Sequence, residues 1–211
     1  MSANADPGKN ELELFLDGFP ALAEHKPQLM EELQTIAFPK GSLLIREGQA
    51  LNYCYFVLKG CIRQYVNDNG MEKTTNFFTE HQGVVSFSAG PENLFSDHYL
   101  ECLEESILIR GEMNGGEEML EQIPALRGII GKMIEADLGQ AQEELKRFIL
   151  LSPEERYAYL LQHRPELVAR VPQKYIASYL GIAPESFSRM KRRMRSKFQS
   201  QKSKFKSVNG E

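Results

Sequence analysis

Residues Val171–Arg195 read VPQKYIASYLGIAPESFSRMKRRMR. Tyr175, Ile176, Tyr179 and Leu180 stand at i, i+1, i+4 and i+5, a spacing that gathers one apolar stripe along a helix from Gln173 to Leu180. Gly181 follows where such a helix must stop, because a residue without Cβ enters the left-handed backbone region at little steric cost. Ile182 and Ala183 complete a short turn. Pro184 then opens a second helix, since its fixed φ suits the first helical turn and its missing N–H has no intrahelical partner to lose. Phe187, Met190 and Met194 give that helix an inward stripe, while Glu185, Ser186, Ser188, Arg189, Lys191, Arg192 and Arg193 occupy its other faces. Two short helices joined by a glycine turn, the second one cationic, make the helix-turn-helix plan, in which the second helix enters the major groove of DNA. The competing reading is a pair of amphipathic helices that merely pack in an all-α domain.

Charge separates the two readings. From Leu151 onward there are thirteen Lys or Arg against five Asp or Glu, and before it twelve against twenty-four, so the net charge of −4 conceals a basic C-terminal third on an acidic remainder. A polyanion is drawn to the former and repelled by the latter. No acidic residue lies between Ser186 and Gly210, and Ser200–Glu211, rich in Lys and Ser, reads as a disordered basic tail.

A length of 211 residues suits one large domain or two modest ones. No apolar run approaches the roughly 20 residues that span a bilayer, and the opening MSANADPGKN lacks the basic-then-apolar order of a secretion signal. A cytoplasmic protein with no membrane partner is expected. Cys54, Cys61 and Cys102 are odd in number and lack CxxC spacing, so they read as small buried hydrophobes rather than disulfides or zinc ligands.

Along the chain, Met1–Asn10 reads as disordered, and Glu11–Phe15 and Lys26–Ile36 as two short helices with breaks at Pro20 and Pro27. From Phe38 the period changes. The runs SLLI, NYCYFVLK, CIRQYV and TTNFF, punctuated by Gly41, Gly48, Gly60, Asn69-Gly70 and Gly83, predict an antiparallel sandwich or roll with a hairpin at Asn69-Gly70. Glu117–Leu126 is helical, and the longest helical pattern runs from there to Phe148. Within it Ile134, Leu138, Ala141, Leu145 and Phe148 are spaced 4, 3, 4, 3, the alternation of a coiled-coil seam. Such a stripe either packs on the chain's own β-layer or meets a second copy. Ser152-Pro153-Glu154-Glu155 starts a helix by its chemistry: Ser caps, Pro takes the first position, and the acids favour the positive end of the dipole. Tyr157, Leu160 and Leu161 face inward from it, and His163-Arg164-Pro165 ends it. The expected fold class is α+β: an antiparallel β-roll with flanking helices over 1–122, a long helix over 123–150, and an all-α helix-turn-helix domain over 151–211.

These features resemble the Crp/Fnr superfamily of bacterial regulators. Ile176, the Gly181 turn and the Glu-Ser-x-x-Arg run of Glu185, Ser186 and Arg189 carry the likeness in the C-terminal part. KGSLLIREGQ, NYCYFVLKGCIRQYV and DNG carry it in a roll like the cyclic-nucleotide-binding domain, so the resemblance extends from about Pro39 to Arg195. It implies a homodimer joined through Ile134, Leu138, Ala141, Leu145 and Phe148, an effector-sensing roll, a partner in double-stranded DNA and contact with RNA polymerase. It also implies base contacts from Glu185 and Arg189 and a phosphate contact from Gln173. The chemistry agrees: Arg donates two parallel bonds to guanine O6 and N7, Glu accepts from cytosine N4, and each good pair contributes about 1–3 kcal/mol of discrimination. Lys174, Ser186, Ser188, Arg192 and Arg193 complete the candidate DNA surface. The family's β-hairpin wing would follow Arg195, but SKFQSQKSKFKSVNGE has little β pattern, so the wing is expected to be reduced or absent and replaced by a tail adding salt-sensitive phosphate contacts.

One departure bears on the effector. The family's phosphate-binding cassette opens at a glycine matching Gly83, and its Gly-Glu and Arg-Ser pairs fall near Phe87-Ser88 and Ser96-Asp97, where none of those residues is kept. Phe87, Ser88, Ser96 and Asp97 form the candidate effector pocket, and a cyclic phosphate there loses a charge-assisted bond. A cyclic nucleotide is therefore not the expected effector; a small apolar or weakly polar ligand, or none, is. An oxygen-sensing iron–sulfur cluster needs four thiolates and this chain has three cysteines. Lone histidines such as His81 and His98 read more readily as surface or core residues than as haem ligands, so no cofactor is expected. Two other classes stay open. A cupin-like β-barrel enzyme needs clustered metal ligands, and His25, His81, His98 and His163 are too scattered for an HxH pair. A cyclic-nucleotide-responsive module acting on protein partners would have no use for the basic second helix. A non-enzymatic regulator is the expectation.

Overall fold

Local start and stop signals set the helix boundaries in the computed structural model, which describes residues 6–84, 95–112 and 115–208, the side chains of 198–208 excepted. Helix α1 (Pro7–Asp17) begins where the Asp6 carboxylate accepts from the Gly8 N–H at 3.0 Å, with Pro7 in the first turn. The helix thus starts inside the segment expected to be disordered, because an acid cap followed by Pro outweighs the polar composition around it. A short 3₁₀ turn (Pro20–His25) leads into α2 (Lys26–Glu32). Gln34, Thr35 and Ile36, expected in that helix, instead open strand β1 (Gln34–Phe38). Their register against a later strand, from Gln34 opposite Arg110 to Phe38 opposite Ser106, is a tertiary pairing that helical spacing does not reveal.

The strands continue as β2 (Leu43–Ile45), β3 (Tyr53–Lys59), β4 (Ile62–Asp68), β5 (Met71–Phe78), β6 (Gly83–Val84), β7 (Tyr99–Cys102) and β8 (Ser106–Glu112). They form two antiparallel four-stranded sheets, ordered β1-β8-β3-β6 and β2-β7-β4-β5, a roll and not a closed barrel. The β4–β5 hairpin turns on Asn69 and Gly70, with φ of 53° and 84°, as an Asn-Gly pair allows. Alternation along β3 and β8 sends successive residues to opposite faces. Val57 and Leu108 join Leu44, Ile45, Ile62, Leu100 and Cys102 in one buried cluster, whereas Leu58 and Ile107 pack under Leu12, Leu16, Leu22 and Leu29 of the N-terminal helices. Cys61 and Cys102 are buried and Cys54 half-buried. Burial pushes the Cys102 thiol up to about 11, which keeps it protonated and inert.

After α3 (Glu117–Gln122) comes α4 (Pro124–Leu150), and the chain divides into two compact units at Lys146/Arg147. The second unit contains α5 (Pro153–His163), α6 (Pro165–Arg170), α7 (Gln173–Tyr179) and α8 (Pro184–Val208). Ser152 caps α5 reciprocally: the Glu155 N–H donates to its hydroxyl at 3.4 Å, and its own N–H donates to the Glu155 carboxylate at 2.8 Å. Tyr157 and Leu160 are buried as expected, but Leu161 is 42% exposed, a correction that places it at the edge of the stripe rather than within it. Helix α6 was not anticipated; Pro165 both ends α5 and opens it. The tail is corrected as well. Helix α8 runs on to Val208, because nothing from Arg195 to that point is Gly or Pro and Lys, Gln and Arg are good helix formers. Residues 196–208, which follow Arg195 where the wing was expected to be reduced or absent, belong to α8.

Candidate nucleic-acid interface

Helix α7 stops as its sequence dictates. Gly181 has φ of 72°, its N–H donates to Ser178 O at 2.9 Å, and the Ile182 N–H donates to Ala177 O at 3.0 Å, the paired bonds that close a helix around a left-handed residue. Ile176, Ala177 and Leu180 are buried, and Gln173 and Lys174 are exposed at its start. On α8, Phe187, Met190 and Met194 are buried, with the Phe187 ring edge-on to Tyr157 at 4.9 Å between centroids. That anchorage fixes which face turns outward. Glu185, Ser188, Arg189, Arg192 and Arg193 are exposed and Ser186 is half-buried. The Arg189 Nη2 donates to Ser186 Oγ at 3.3 Å, one turn back along the helix.

A cleft of about 440 Å³ lies between the start of α5 and α8, with Ser152 and Glu154 on one side and Ser186, Arg189 and Arg193 on the other. The Glu154 carboxylate accepts from Arg193 Nη2 and, at 2.9 Å, from Lys197 Nζ. These hydrogen bonds, Lys197's first and Arg193's second, hold the Glu154 carboxyl below the usual carboxylate range. Sequence reading named Arg193 but missed its acidic partner. The legible signal was the line Arg189, Arg193, Lys197 at i, i+4, i+8 in a domain with few acids to meet it.

A second residue was missed altogether. The Arg156 guanidinium donates to Phe148 O at 2.8 Å, Leu151 O at 3.1 Å and Leu180 O at 2.6 Å, and stacks over the Phe148 ring at 4.3 Å. One cation therefore satisfies the terminal carbonyls of α4 and α7, where the negative ends of both helix dipoles lie. Gly181 sits 3.7 Å, measured from an added Cβ, from the same ring.

Residues 35–120 match the cyclic nucleotide-binding domain family. The structure is similar to the c-di-GMP responsive global regulator CLP of Xanthomonas campestris (TM-score 0.66, 15% identity, 83% of this chain and 92% of that one) and to FixK2 of Bradyrhizobium japonicum (TM-score 0.62, 16% identity, 78% and 85%). The chain has the Crp/Fnr fold. A CRP/FNR-family transcriptional regulator from Thermus thermophilus is similar too, with a TM-score of 0.60 at 16% identity over 78% of this chain and 87% of that one. In sequence, anaerobic regulatory proteins of Haemophilus influenzae and Pasteurella multocida are 22% and 25% identical over 163 residues, 72% of this chain. The match spans 63% and 59% of the lengths of those two relatives.

Within the Crp/Fnr fold, the seam residues of α4 lie open: Ile134 is 52% exposed, Leu138 59%, Leu145 61% and Phe148 53%, and Ala141 is exposed. The flank of the helix meets the roll instead. Asp137 Oδ2 accepts from the Gly83 N–H at 3.4 Å, and Gln140 Oε1 accepts from Gln82 Nε2 at 3.4 Å. Desolvation there raises the Asp137 carboxyl above its ordinary value. Of the candidate effector residues, Phe87 and Ser88 lie outside the described residues. Ser96 is buried, its Oγ donating to His98 O at 2.8 Å, and the exposed Asp97 carboxylate lies 2.7 Å from His98 Nδ1. The buried Arg63 donates to Glu72 at 2.7 Å, to Glu101 at 3.4 Å and to Thr74 at 2.9 Å, and stacks on Tyr65 at 4.2 Å. Among the described residues no helix is long and apolar enough to cross a membrane, and no group of His, Cys, Asp and Glu stands where it could hold a metal ion.

Proposed function

We propose that the chain is a dimeric DNA-binding transcription regulator of the Crp/Fnr type that reads a palindromic operator through α8. The supporting observation is the anchorage of that helix: its apolar stripe is buried, and Glu185, Ser188, Arg189, Arg192 and Arg193 face solvent on the opposite side. A helix so held offers Arg189 to guanine and Glu185 to cytosine, with Gln173 and Lys174 at phosphates. The seam of α4 supports the second copy. An open apolar row on a helix whose flank already meets its own roll is what a coiled-coil partner covers. Two-fold symmetry then sets the half-sites about 34 Å apart, one turn of DNA.

The effector is not a cyclic nucleotide in this reading. No Lys or Arg lies between Lys73 and Arg110 to neutralise a cyclic phosphate, and the guanidinium of Arg63 is engaged by two carboxylates. The relatives are named for anaerobic regulation, but a cluster of the iron–sulfur kind needs more thiolates than this chain has. Selection of bound duplexes from a random pool tests the reading. Enrichment of one palindrome supports it, and recovery of no preferred sequence contradicts it. Calorimetric titration with cyclic AMP, cyclic GMP and c-di-GMP tests the effector, and micromolar binding of any of them would overturn that part.

A further inference from the structure

Glu154 puts an anion on the surface that the proposed function turns toward DNA. It occupies the second position of α5, and its carboxylate takes hydrogen bonds from Arg193 and Lys197, which stand one turn apart on α8 and extend the line begun by Arg189. The partners are themselves exposed, so the pairing is not a buried structural link. Exposed ion pairs are weak and exchange readily, which suits a competitor rather than a lock. A phosphate diester is an anion of similar size that would take the same donors. Glu185 and Arg189, on the first turns of α8, make no hydrogen bond to Glu154 among the described contacts, so base reading does not depend on it.

We propose that Glu154 competes with the DNA backbone for Arg193 and Lys197, and so sets the ratio of operator binding to non-specific binding. The proposal rests on the DNA-binding reading above. Non-specific affinity grows with the number of phosphates neutralised, each adding about −0.9 to the slope of log K against log salt. A carboxylate that holds two cations lowers that number on every sequence. At the operator, base contacts fix α8 in place and the loss is proportionally smaller.

The test compares full-length wild type, Glu154→Gln, Glu154→Asp and Glu166→Gln by fluorescence anisotropy on the selected operator and a scrambled duplex, from about 50 to about 300 mM KCl. Glu154→Gln is expected to tighten binding to the scrambled duplex about three- to tenfold at the low-salt end, to steepen its slope by about 1 to 2, and to narrow the operator preference. Glu154→Asp, one methylene too short to hold both donors, falls between. Glu166→Gln removes the same charge from exposed α6 and leaves the slope in place. Equal slopes for wild type and Glu154→Gln overturn the proposal, as does an equal effect of Glu166→Gln, which would make the change one of net charge. Should Glu154→Gln fail to fold by circular dichroism, Glu154→Asp carries the same expectation and the same contradiction. A wild-type chain that binds neither duplex overturns the regulator reading itself, whereas salt-steep wild-type binding that Glu154 does not influence overturns only the competitor.

Discussion

Helices α4 and α8 are the longest in the chain, at 27 and 25 residues, and carry closely related apolar spacings in opposite surroundings. Phe187, Met190 and Met194 of α8 are 2%, 6% and 8% exposed, while Leu138 and Leu145 of α4 are more than half exposed. Periodicity alone does not distinguish a stripe that closes a domain from one that waits for a partner. The neighbours do. Phe187 of α8 packs edge-on against Tyr157 of α5, whereas α4 buries Leu126 near its start in the roll's cluster and farther along meets the roll through polar contacts at Gln82 and Gly83.

The largest expected effect lies in the closed stripe. Phe187→Ala leaves a cavity beside Tyr157 and is expected to destabilise the C-terminal unit by about 3–5 kcal/mol, read from its calorimetric transition. The matching truncation Leu138→Ala, measured at a dilution where the chain is monomeric, should shift stability by less than about 0.5 kcal/mol. Equal losses would break the comparison. Next in size, Leu138→Glu is expected to convert the dimer into a 24.0 kDa species in sedimentation and to weaken operator binding by about 10²- to 10⁴-fold with the circular dichroism unchanged. A variant that stays dimeric would show that the seam is elsewhere.

Single contacts on the outward face of α8 follow. Arg189→Ala should cost about 1–3 kcal/mol and relax preference at one base position, while Lys174→Ala should weaken all sequences alike and reduce the salt slope by about 1. The smallest effect is at the flank of α4. Burial raises the Asp137 carboxyl, so the folded state binds its proton more tightly than the unfolded chain does; the charged form is penalised on folding, fully so above the folded value, and the penalty is relieved as pH falls through it. Asp137→Asn is therefore expected to melt higher than wild type at neutral pH, with the difference shrinking toward the ordinary value of 3.8. A difference that grows on acidification would mean the hydrogen bond from Gly83 outweighs desolvation.

Much of this architecture was legible because it rests on local chemistry. Gly181 and Pro184 mark the turn, Asn69-Gly70 the hairpin, and Ser152-Pro153 the cap of α5, each by a backbone preference that acts within a few residues. What escaped was set by distant partners. Gln34–Ile36 has helical spacing yet pairs with β8, and the short strands β6 and β7 are defined mainly by what lies beside them. The same holds at the candidate site. The Glu185, Ser186 and Arg189 run stands in plain view in the sequence, but the pairing of Glu154 with Arg193 and Lys197, 39 and 43 positions on, and of Arg156 with the Leu180 carbonyl, 24 positions on, leaves no periodic trace. Helix α8 outlasts its expected end because a Lys- and Ser-rich composition does not itself break a helix where Gly and Pro are absent.

A regulator of the proposed kind presents the outward helix from Pro184 twice, through a symmetric pair. Duplexes bearing two copies of the selected half-site, with centres separated by about 10, 15 or 20 base pairs, measure it directly. Tight binding is predicted only at the separation of about 10 base pairs, one turn, with a loss of about a hundredfold or more at 15 and at 20. Affinity indifferent to spacing, or equal for a single half-site, would contradict it.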